Sequence, residues 1–361
     1  MPARHVVQSP RPAPGASTSD RTATRGTAGT PRHHSGHRSH RILQSVAVAL
    51  AVCVMAAAGA GAAVVRRFDS NITSADVSAQ LGDDRPEALD TDPSDGLPLN
   101  ILLMGVDKDT GSQRSDTTIL AHLSADRSRA ELISIPRDSW VQIPACTLAD
   151  GTVTEPQEFK FNEAFSIGGA ACTIRTVEQL TGVRIDDYAM VDFAGFTEMV
   201  DAVGGVPFCV PEDIDDKQAK VQLEAGCQTL DGTQALGFVR ARKSLGDGSD
   251  LGRIDRQQQF LEAMVAKVTS AGTLTDVTAL YGLIDSATRS MTTGPSLASV
   301  THLVSLARSM SGVPAEAIDF RTVPTADRGD GANVVWAEPE SAAIWQALAT
   351  DVPLPAEAPD S

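Results

Sequence analysis

LPLNILLMGVD, residues 97–107, is a short apolar run that ends in Gly105 and Asp107. An apolar run of this length, closed by a turn residue, predicts a buried strand and marks the start of a folded domain. Similar runs predict strands at 117–124, 130–136, 187–193, 206–210 and 318–323, and helical spacing predicts helices at 173–182, 194–205, from about 253, 274–286, 296–310 and 339–349. Because strands and helices mix without an internal repeat, we expect one α/β domain with a central sheet over residues 97–350.

Upstream of this domain, residues 42–65 contain no charged side chain. The stretch is long enough to cross a bilayer core, which needs about 20 residues. A cleaved signal peptide is the alternative, and the small-residue run 56–63 has the composition of a cleavage site. More arginines precede the span than follow it, where Arg66 and Arg67 stand, so a cytoplasmic N-terminus and an extracytoplasmic domain are predicted.

The segments flanking the span and the domain are polar. Residues 1–41 are rich in Ser, Thr, Pro, Arg and His and are predicted to be a disordered cytoplasmic tail. Seven arginines against one acid give this tail a charge of +6, which leaves −22 for the rest of a chain whose net charge is −16. Residues 66–96 are interpreted as a stalk or linker, and residues 351–361 as a polar tail.

Four cysteines lie in the predicted external domain, and an even number there indicates two disulfides. Four cysteines allow three pairings, and proximity in the sequence favours Cys146–Cys172 and Cys209–Cys227. A four-thiolate zinc site is the alternative, but no close C-x-x-C pair supports it.

The most cationic part of the domain is VRARKSLGDGSDLGRIDRQQQF, residues 239–260, with four arginines and one lysine. Arg240 and Arg242 alternate, so on a strand they point to one face. Arg253, Arg256 and Gln257 share a face of the helix that follows. The turn between the two sets would bring them together, and stacked arginines without an anion would repel each other. Asp250 stands at the start of this helix, where a carboxylate either caps the helix or takes part in the site.

Other charged side chains directly follow or precede predicted strands. They are Asp107, Arg114, Asp116, Arg137, Asp138 and Lys160. Each alone is compatible with a solvated turn, but together they predict a site for a small, multiply charged anion such as a pyrophosphate. Nucleic acid is disfavoured as a ligand because the external part of the chain carries −22. Asp107 and Asp116 either hold Mg²⁺, the metal of phosphoryl-transfer sites, or pair with arginines.

Six motifs, LLMGVD…RSDTTIL, ISIPRD, KFNEAF, VDFAGFTEMVDAVGGV, LDGTQALGFVRAR and DLGRIDRQQQF, occur in the order found in the LytR-CpsA-Psr (LCP) family. The chain resembles this family strongly over residues 97–270, and its tail and cysteines resemble an actinobacterial version. The resemblance implies a central mixed sheet flanked by helices, with a hydrophobic tunnel for a lipid. It also implies transfer of a glycopolymer from a polyprenyl-pyrophosphate carrier to peptidoglycan, with release of polyprenyl phosphate at the outer membrane surface.

The resemblance assigns roles to the charged residues. Asp107 and Asp116 would contact Mg²⁺ (or Mn²⁺), and Asp250 would orient the arginines or act as base. The pyrophosphate would be bound by Arg114, Arg137, Arg240, Arg242 and Arg253, with Lys160, Arg256 and Gln257 nearby. The sequence departs from the family at Glu163, where a His is common, and at Phe165, where a Tyr is frequent. A lipid-pyrophosphate hydrolase and a non-catalytic lipid-binding or regulatory membrane protein are the alternatives.

Overall fold

The computed structural model describes residues 58–59, 61–89, 96–107, 115–241, 250–310 and 312–356. The chain divides into two units, 1–58 and 59–361, and the description below concerns the second. The predicted tail, most of the predicted membrane span, Arg114 and Arg242 lie outside the described residues. Within the described ranges, no helix combines the length and the apolar character needed to span a bilayer.

A seven-stranded mixed sheet forms the centre of the unit, with strand order β1-β12-β7-β2-β3-β4-β13. Its pairs β1/β12, β2/β7 and β4/β13 are parallel, whereas β2/β3, β3/β4 and β7/β12 are antiparallel. The seven strands are β1 (Thr73–Ser74), β2 (Leu99–Val106), β3 (Ser115–Leu123), β4 (Ala130–Ser134), β7 (Asp187–Asp192), β12 (Met291–Thr293) and β13 (Ile318–Thr322). The predicted α/β fold with a central mixed sheet is confirmed.

Four two-stranded ribbons surround this sheet. They pair β5 (Trp140–Ile143) with β6 (Gln157–Lys160), β8 (Val206–Val210) with β11 (Gly226–Leu230), β9 (Ile214–Asp216) with β10 (Val221–Leu223), and β14 (Thr325–Asp327) with β15 (Val334–Trp336). The helices are α1 (residues 61–71), α2 (Ser78–Leu81), α3 (Glu163–Thr181), α4 (Phe193–Ala202), α5 (Gly232–Arg240), α6 (Asp250–Thr269), α7 (Ala271–Thr275), α8 (Val277–Ser290), α9 (Val300–Met310) and α10 (Glu340–Ala349).

Two hydrophobic clusters account for the position of the site. In the larger one, the strand side chains Leu102, Leu120 and Ile133 pack with α3 and α10 on one face of the sheet. The second cluster lies among α4, α5, α6 and the ribbons, where Phe238 and Phe260 are fully buried. Because this second cluster is separate from the sheet core, space remains between the helices α4–α6 and the other face of the sheet.

The described part of the predicted stalk is packed on the domain. Phe68 and Ile72 are buried against Val300 of α9. Further along, Arg85 forms a 2.5 Å ion pair with the buried Glu178 of α3 and also donates to the Ile185 carbonyl. Residues 68–85 are therefore held by apolar contacts at one end and by a buried ion pair at the other.

Both disulfides have the pairing that proximity in the sequence favoured. Cys146 in the loop after β5 is bonded to Cys172 of α3. Cys209 of β8 is bonded to Cys227, its direct partner on β11.

The prediction of a strand around Arg240 is wrong, because residues 232–240 form helix α5. The Asp231 side chain accepts from the Gln234 amide at 2.8 Å, and the Gln234 side chain accepts from the Asp231 amide at 3.0 Å. This reciprocal capping box starts a helix, so Arg240 occupies the last position of α5.

Candidate functional site

Arg137 is the centre of the site. It follows β4 and Pro136, and its side chain is only 18% exposed. Its Nη1 lies 2.5 Å from Asp116 Oδ1, and its Nε lies 3.3 Å from Asp250 Oδ1 and 3.6 Å from Asp138 Oδ2. Burial acts to lower the pKa of Arg137, but the fields of these three carboxylates outweigh burial and raise it. The guanidinium therefore stays charged and fixed in orientation.

Arg253 joins this network from the first turn of α6. Its Nη2 lies 2.6 Å from Asp250 Oδ1 and donates to the Asp116 carbonyl at 3.2 Å. The Arg253 side chain is 5% exposed, and Asp250 lies between the two guanidinium groups. The start of α6 is thereby fixed against β3. The described arginines are interleaved with carboxylates, so the repulsion expected between stacked arginines does not arise.

Arg240 approaches from the other side, at the end of α5. Its guanidinium carbon lies 4.6 Å from the centre of the Phe193 ring, and its Nη2 lies 3.8 Å from Asp107 Oδ2. Phe193 begins α4, which Asp192 caps by accepting from the Gly195 amide at 2.9 Å. At 38% exposure Arg240 is more accessible than Arg137 or Arg253. Phe193 was not predicted as a site residue from the sequence. Its position at the end of the predicted strand that became β7 could have indicated that it lies at the site.

The other predicted binding residues divide into two groups. Gln257 lies at the site, where its Oε1 accepts from Thr117 Oγ1 at 3.2 Å and its Nε2 donates to the Val239 carbonyl at 3.1 Å. Arg256 is buried and donates to the Ala241 carbonyl at 2.6 Å, so it supports the end of α5. Lys160 ends β6, and its Nζ lies 2.9 Å from Asp138 Oδ1, on the far side of Arg137.

The two candidate metal ligands lie at the same end of the adjacent central strands β2 and β3. Asp107 follows the last residue of β2, and Asp116 is the second residue of β3, whose Ser115 pairs with Val106. Within the described ranges, no group of three or more His, Cys, Asp or Glu side chains is arranged to hold a metal ion. Two carboxylates at the edge of an anion site nevertheless fit Mg²⁺, which commonly takes one or two carboxylates and completes its shell with water and substrate phosphates.

A cavity of about 400 Å³ opens behind these charges, between the sheet and helices α4–α6. Its floor is two rows of paired strand residues: Ala189, Leu103 and Ile119 in one row, and Val191, Gly105 and Thr117 in the next. Residues two apart on a strand share a face, so all six side-chain positions face the same space. Its helical walls are apolar and include Phe196, Met199, Leu236, Phe260, Leu261 and Met264. Its charged lining residues are Asp116, Arg137, Asp192, Asp216, Arg240 and Arg253.

This cavity combines an apolar interior with three guanidinium groups and three carboxylates in its lining. An apolar chain would bury its surface against the floor and walls, while an anionic group attached to it would meet the guanidinium groups. The geometry therefore suits an amphiphile with a compact anionic head.

A model of the LytR_cpsA_psr family matches residues 64–350. The chain is 37% identical over 253 residues to a probable cell wall biosynthesis protein, LcpB, of Corynebacterium glutamicum, covering 69% of this chain and 56% of the relative. It is 32% identical over 244 residues to the polyisoprenyl-teichoic acid–peptidoglycan teichoic acid transferase TagV of Bacillus subtilis, covering 65% of this chain and 59% of that protein. The chain thus spans a little over half the length of these two relatives.

Solved structures show the same fold. The crystal structure of B. subtilis TagV matches with a TM-score of 0.56 and 29% identity, covering 71% of this chain and 98% of that one. A LytR-Csp2A-Psr enzyme from Actinomyces oris matches with a TM-score of 0.60 and 20% identity, covering 77% of this chain and 96% of that one. The Corynebacterium glutamicum relative agrees with the actinobacterial version that the sequence resembled.

Proposed function

The chain belongs to the LytR-CpsA-Psr family, and we propose that it is a phosphotransferase that attaches a glycopolymer to peptidoglycan through a phosphodiester bond. The donor is a polyprenyl-pyrophosphate-linked glycopolymer, and the released product is polyprenyl phosphate. The observation that carries this proposal is the apolar cavity of about 400 Å³ whose polar side presents Arg137, Arg240 and Arg253. Relatives named as cell wall biosynthesis proteins and as a teichoic acid transferase support it.

In this proposal the lipid tail lies along the apolar floor, and the pyrophosphate contacts the guanidinium groups. Arg253 is buried, Arg137 is partly buried, and both are pre-oriented by carboxylates, so they lose little conformational entropy when the anion binds. Arg240 is more exposed and can reach a phosphate that lies beyond them. Asp250 lies between two guanidinium groups, which favours an orienting role over that of a base.

The reaction transfers one phosphoryl group. A peptidoglycan hydroxyl oxygen bonds to the phosphorus that carries the glycopolymer, while the bond from that phosphorus to the bridging oxygen breaks. The bridging oxygen keeps the electron pair and leaves with the lipid as polyprenyl phosphate, and the hydroxyl proton passes to water. The arginines stabilise the charge that accumulates on the phosphate oxygens.

Asp107 and Asp116 are the residues that would hold a divalent cation, Mg²⁺ or Mn²⁺. When bound, such an ion would neutralise charge on the pyrophosphate. The two carboxylates also pair with Arg240 and Arg137, so their contribution to the site includes the orientation of these guanidinium groups.

The protein is proposed to be a single-pass membrane protein with a cytoplasmic N-terminus and an external domain. The support is the uncharged stretch of residues 42–65, the arginines before it, and the two disulfides, which form in oxidising compartments. This location would place the site where both a lipid-linked donor and peptidoglycan are present.

The test uses the full chain in detergent with a labelled polyprenyl-pyrophosphate oligosaccharide, Mg²⁺ and soluble peptidoglycan oligomers. Asp116→Ala and Arg240→Ala should lose transfer of label to peptidoglycan. Arg289→Ala is the matched control, because Arg289 forms an exposed ion pair with Glu198 away from the cavity and should keep activity. Release of polyprenyl phosphate at the same rate without acceptor would identify a hydrolase instead. Donor binding without turnover across several donors would identify a binding protein.

A further inference from the structure

A second cavity, of about 530 Å³, lies on the other side of Arg137. Of the described residues, Arg137 alone lines both this cavity, which we call the polar cleft, and the apolar cavity. The polar cleft is also lined by Asp138, Lys160, Asp250, Asp327 and Asn333. Three carboxylates, two cations and an amide give it the donors and acceptors that a polyhydroxylated ligand needs, in contrast to the lipid-like interior of the apolar cavity.

The far wall of the polar cleft is the β14–β15 ribbon, which is attached directly beside Arg137. The Val334 amide donates to the Asp138 carbonyl at 3.3 Å, and Val334 pairs with Ser139 in a parallel bridge. Trp336 Nε1 donates to Ser139 Oγ at 3.2 Å. Since these contacts involve the two residues that follow Arg137, the ribbon and the guanidinium are held in a fixed relation.

Asn333 provides an independent indication of a ligand. Its Nδ2 donates to Asp330 Oδ2 at 2.7 Å, which fixes the orientation of the amide. Asn333 is 8% exposed, and its buried Oδ1 has no hydrogen-bond partner within the described part of the chain. A buried acceptor without a donor costs about 1–3 kcal/mol. A hydroxyl group bound in the polar cleft would supply the missing donor.

We propose that the polar cleft binds a sugar ring of the peptidoglycan acceptor and presents its hydroxyl to the phosphate held by Arg137. This inference rests on the proposed function. In phosphoryl transfer the attacking and leaving oxygens lie roughly in line on opposite sides of the phosphorus. If the lipid phosphate leaves into the apolar cavity, the attacking hydroxyl comes from the side of Arg137 that faces the polar cleft. Asn333 and Asp327 are then specificity residues for the acceptor.

The experiment measures binding and turnover separately, with the full chain in detergent. Binding of soluble, uncrosslinked peptidoglycan oligomers is titrated calorimetrically, and KM is determined for acceptor and donor. Asn333→Ala and Asp327→Asn should each weaken acceptor affinity and raise acceptor KM about 3–10-fold, the effect of one lost hydrogen bond. Donor KM should be unchanged in both variants, and the thermal midpoint should be unchanged in Asp327→Asn, whose side chain is exposed. Asp215→Asn is the matched control, because Asp215 is an exposed carboxylate on the β9–β10 ribbon, outside the linings of both cavities.

The outcomes separate this inference from the proposed function. Unchanged acceptor affinity in both variants overturns the inference even if wild-type protein transfers glycopolymer. The inference is also overturned if the two variants raise KM for the sugar-bearing donor but not for sugar-free polyprenyl pyrophosphate, because the polar cleft would then hold the donor sugar. If no donor turns over but Asn333→Ala still loses acceptor affinity, the polar cleft is a glycan site and the proposed transfer reaction is wrong.

Discussion

Replacing Arg137 by methionine should destabilise the domain in a way that depends on pH. The substitution leaves Asp116, Asp138 and Asp250 near one another without the cation that lies 2.5–3.6 Å from each. Breaking one partner of a buried ion pair costs about 3–5 kcal/mol. Since Arg137 is 18% exposed and Arg253 still pairs with Asp250, we expect the low end, about 3 kcal/mol at pH 7.5.

The sign of the pH effect follows from linkage. Without Arg137, the three carboxylates repel one another in the folded state, and protonating one of them relieves that repulsion. Protonation then favours the folded state, so the variant should recover stability relative to wild type as the pH falls from 7.5 towards 5. Wild type, with its carboxylates paired, should not show this recovery.

The assay is thermal unfolding of the full chain at pH 5 and pH 7.5, where about 3 kcal/mol corresponds to a shift of roughly 6–12 °C. Arg289→Met, which removes an exposed ion pair, should change stability by less than about 1 kcal/mol. Adding Asp116→Asn to Arg137→Met should recover part of the loss but no transfer activity, because the Asp116 carboxylate pairs with Arg137 while Arg253 contacts only the Asp116 carbonyl. An equal loss at both pH values, or no recovery with Asp116→Asn, would refute the assignment of Arg137 as the cation that holds three carboxylates together.

Three further results are expected. Ala189→Phe places a ring on the floor of the apolar cavity, so turnover of long-chain donors should fall while that of short-chain donors persists, measured as kcat/KM against chain length; equal losses would contradict the assignment of the lipid to this cavity. Burial raises the pKa of Glu131 to about 7, against the opposing effect of Arg129, so the free energy of unfolding should fall by roughly 3 kcal/mol as the pH rises from 4.5 to 7. Glu131→Gln should flatten the pH dependence of the free energy of unfolding, measured by denaturant titration. A pH dependence that is unchanged by this substitution would mean that Glu131 is ionised in the folded protein. Removing the Cys146–Cys172 bond by double serine substitution should cost about 3 kcal/mol, as expected for a 26-residue separation, and chemical denaturation with and without reductant measures it.

The central strands were predictable because each is an apolar run long enough to be recognised without its neighbours. Strands β2, β3, β4 and β7 lie in the interior of the sheet, and each contains fully or nearly fully buried side chains such as Leu102, Leu120, Ile133 and Tyr188. Their apolar residues are frequent enough to mark them as strands, although each strand also contains a buried polar residue: Asn100, His122, Glu131 and Asp187. The β9–β10 ribbon lacks this signal, since strands of three residues are too brief to show a periodicity.

The residues of the site were recognisable as a set, but their contacts were not. Arg240 was expected on a strand, because the alternation of Arg240 and Arg242 outweighed the capping box that begins α5 at Asp231. The polar cleft had no signal in the sequence. Arg137 and Asn333 are brought together only by the tertiary pairing of Ser139 with Val334, nearly two hundred residues apart, and no local pattern encodes that contact.

The charges at the site explain how an acidic protein can keep arginines ready for an anion. Every described cation that lines the two cavities has a carboxylate near it. Arg137 pairs with Asp116, Asp138 and Asp250; Arg253 pairs with Asp250; Arg240 pairs with Asp107; and Lys160 pairs with Asp138. A pyrophosphate would therefore enter a network that is already balanced, and it must compete with carboxylates for the guanidinium donors. Competition is easiest where the contact is longest and most exposed, which is the 3.8 Å contact between Arg240 and Asp107. Asp107→Asn removes the charge but keeps the shape of the side chain, so it should tighten binding of the metal-free donor. The same change at Asp250 should loosen the orientation of Arg137 and weaken donor binding.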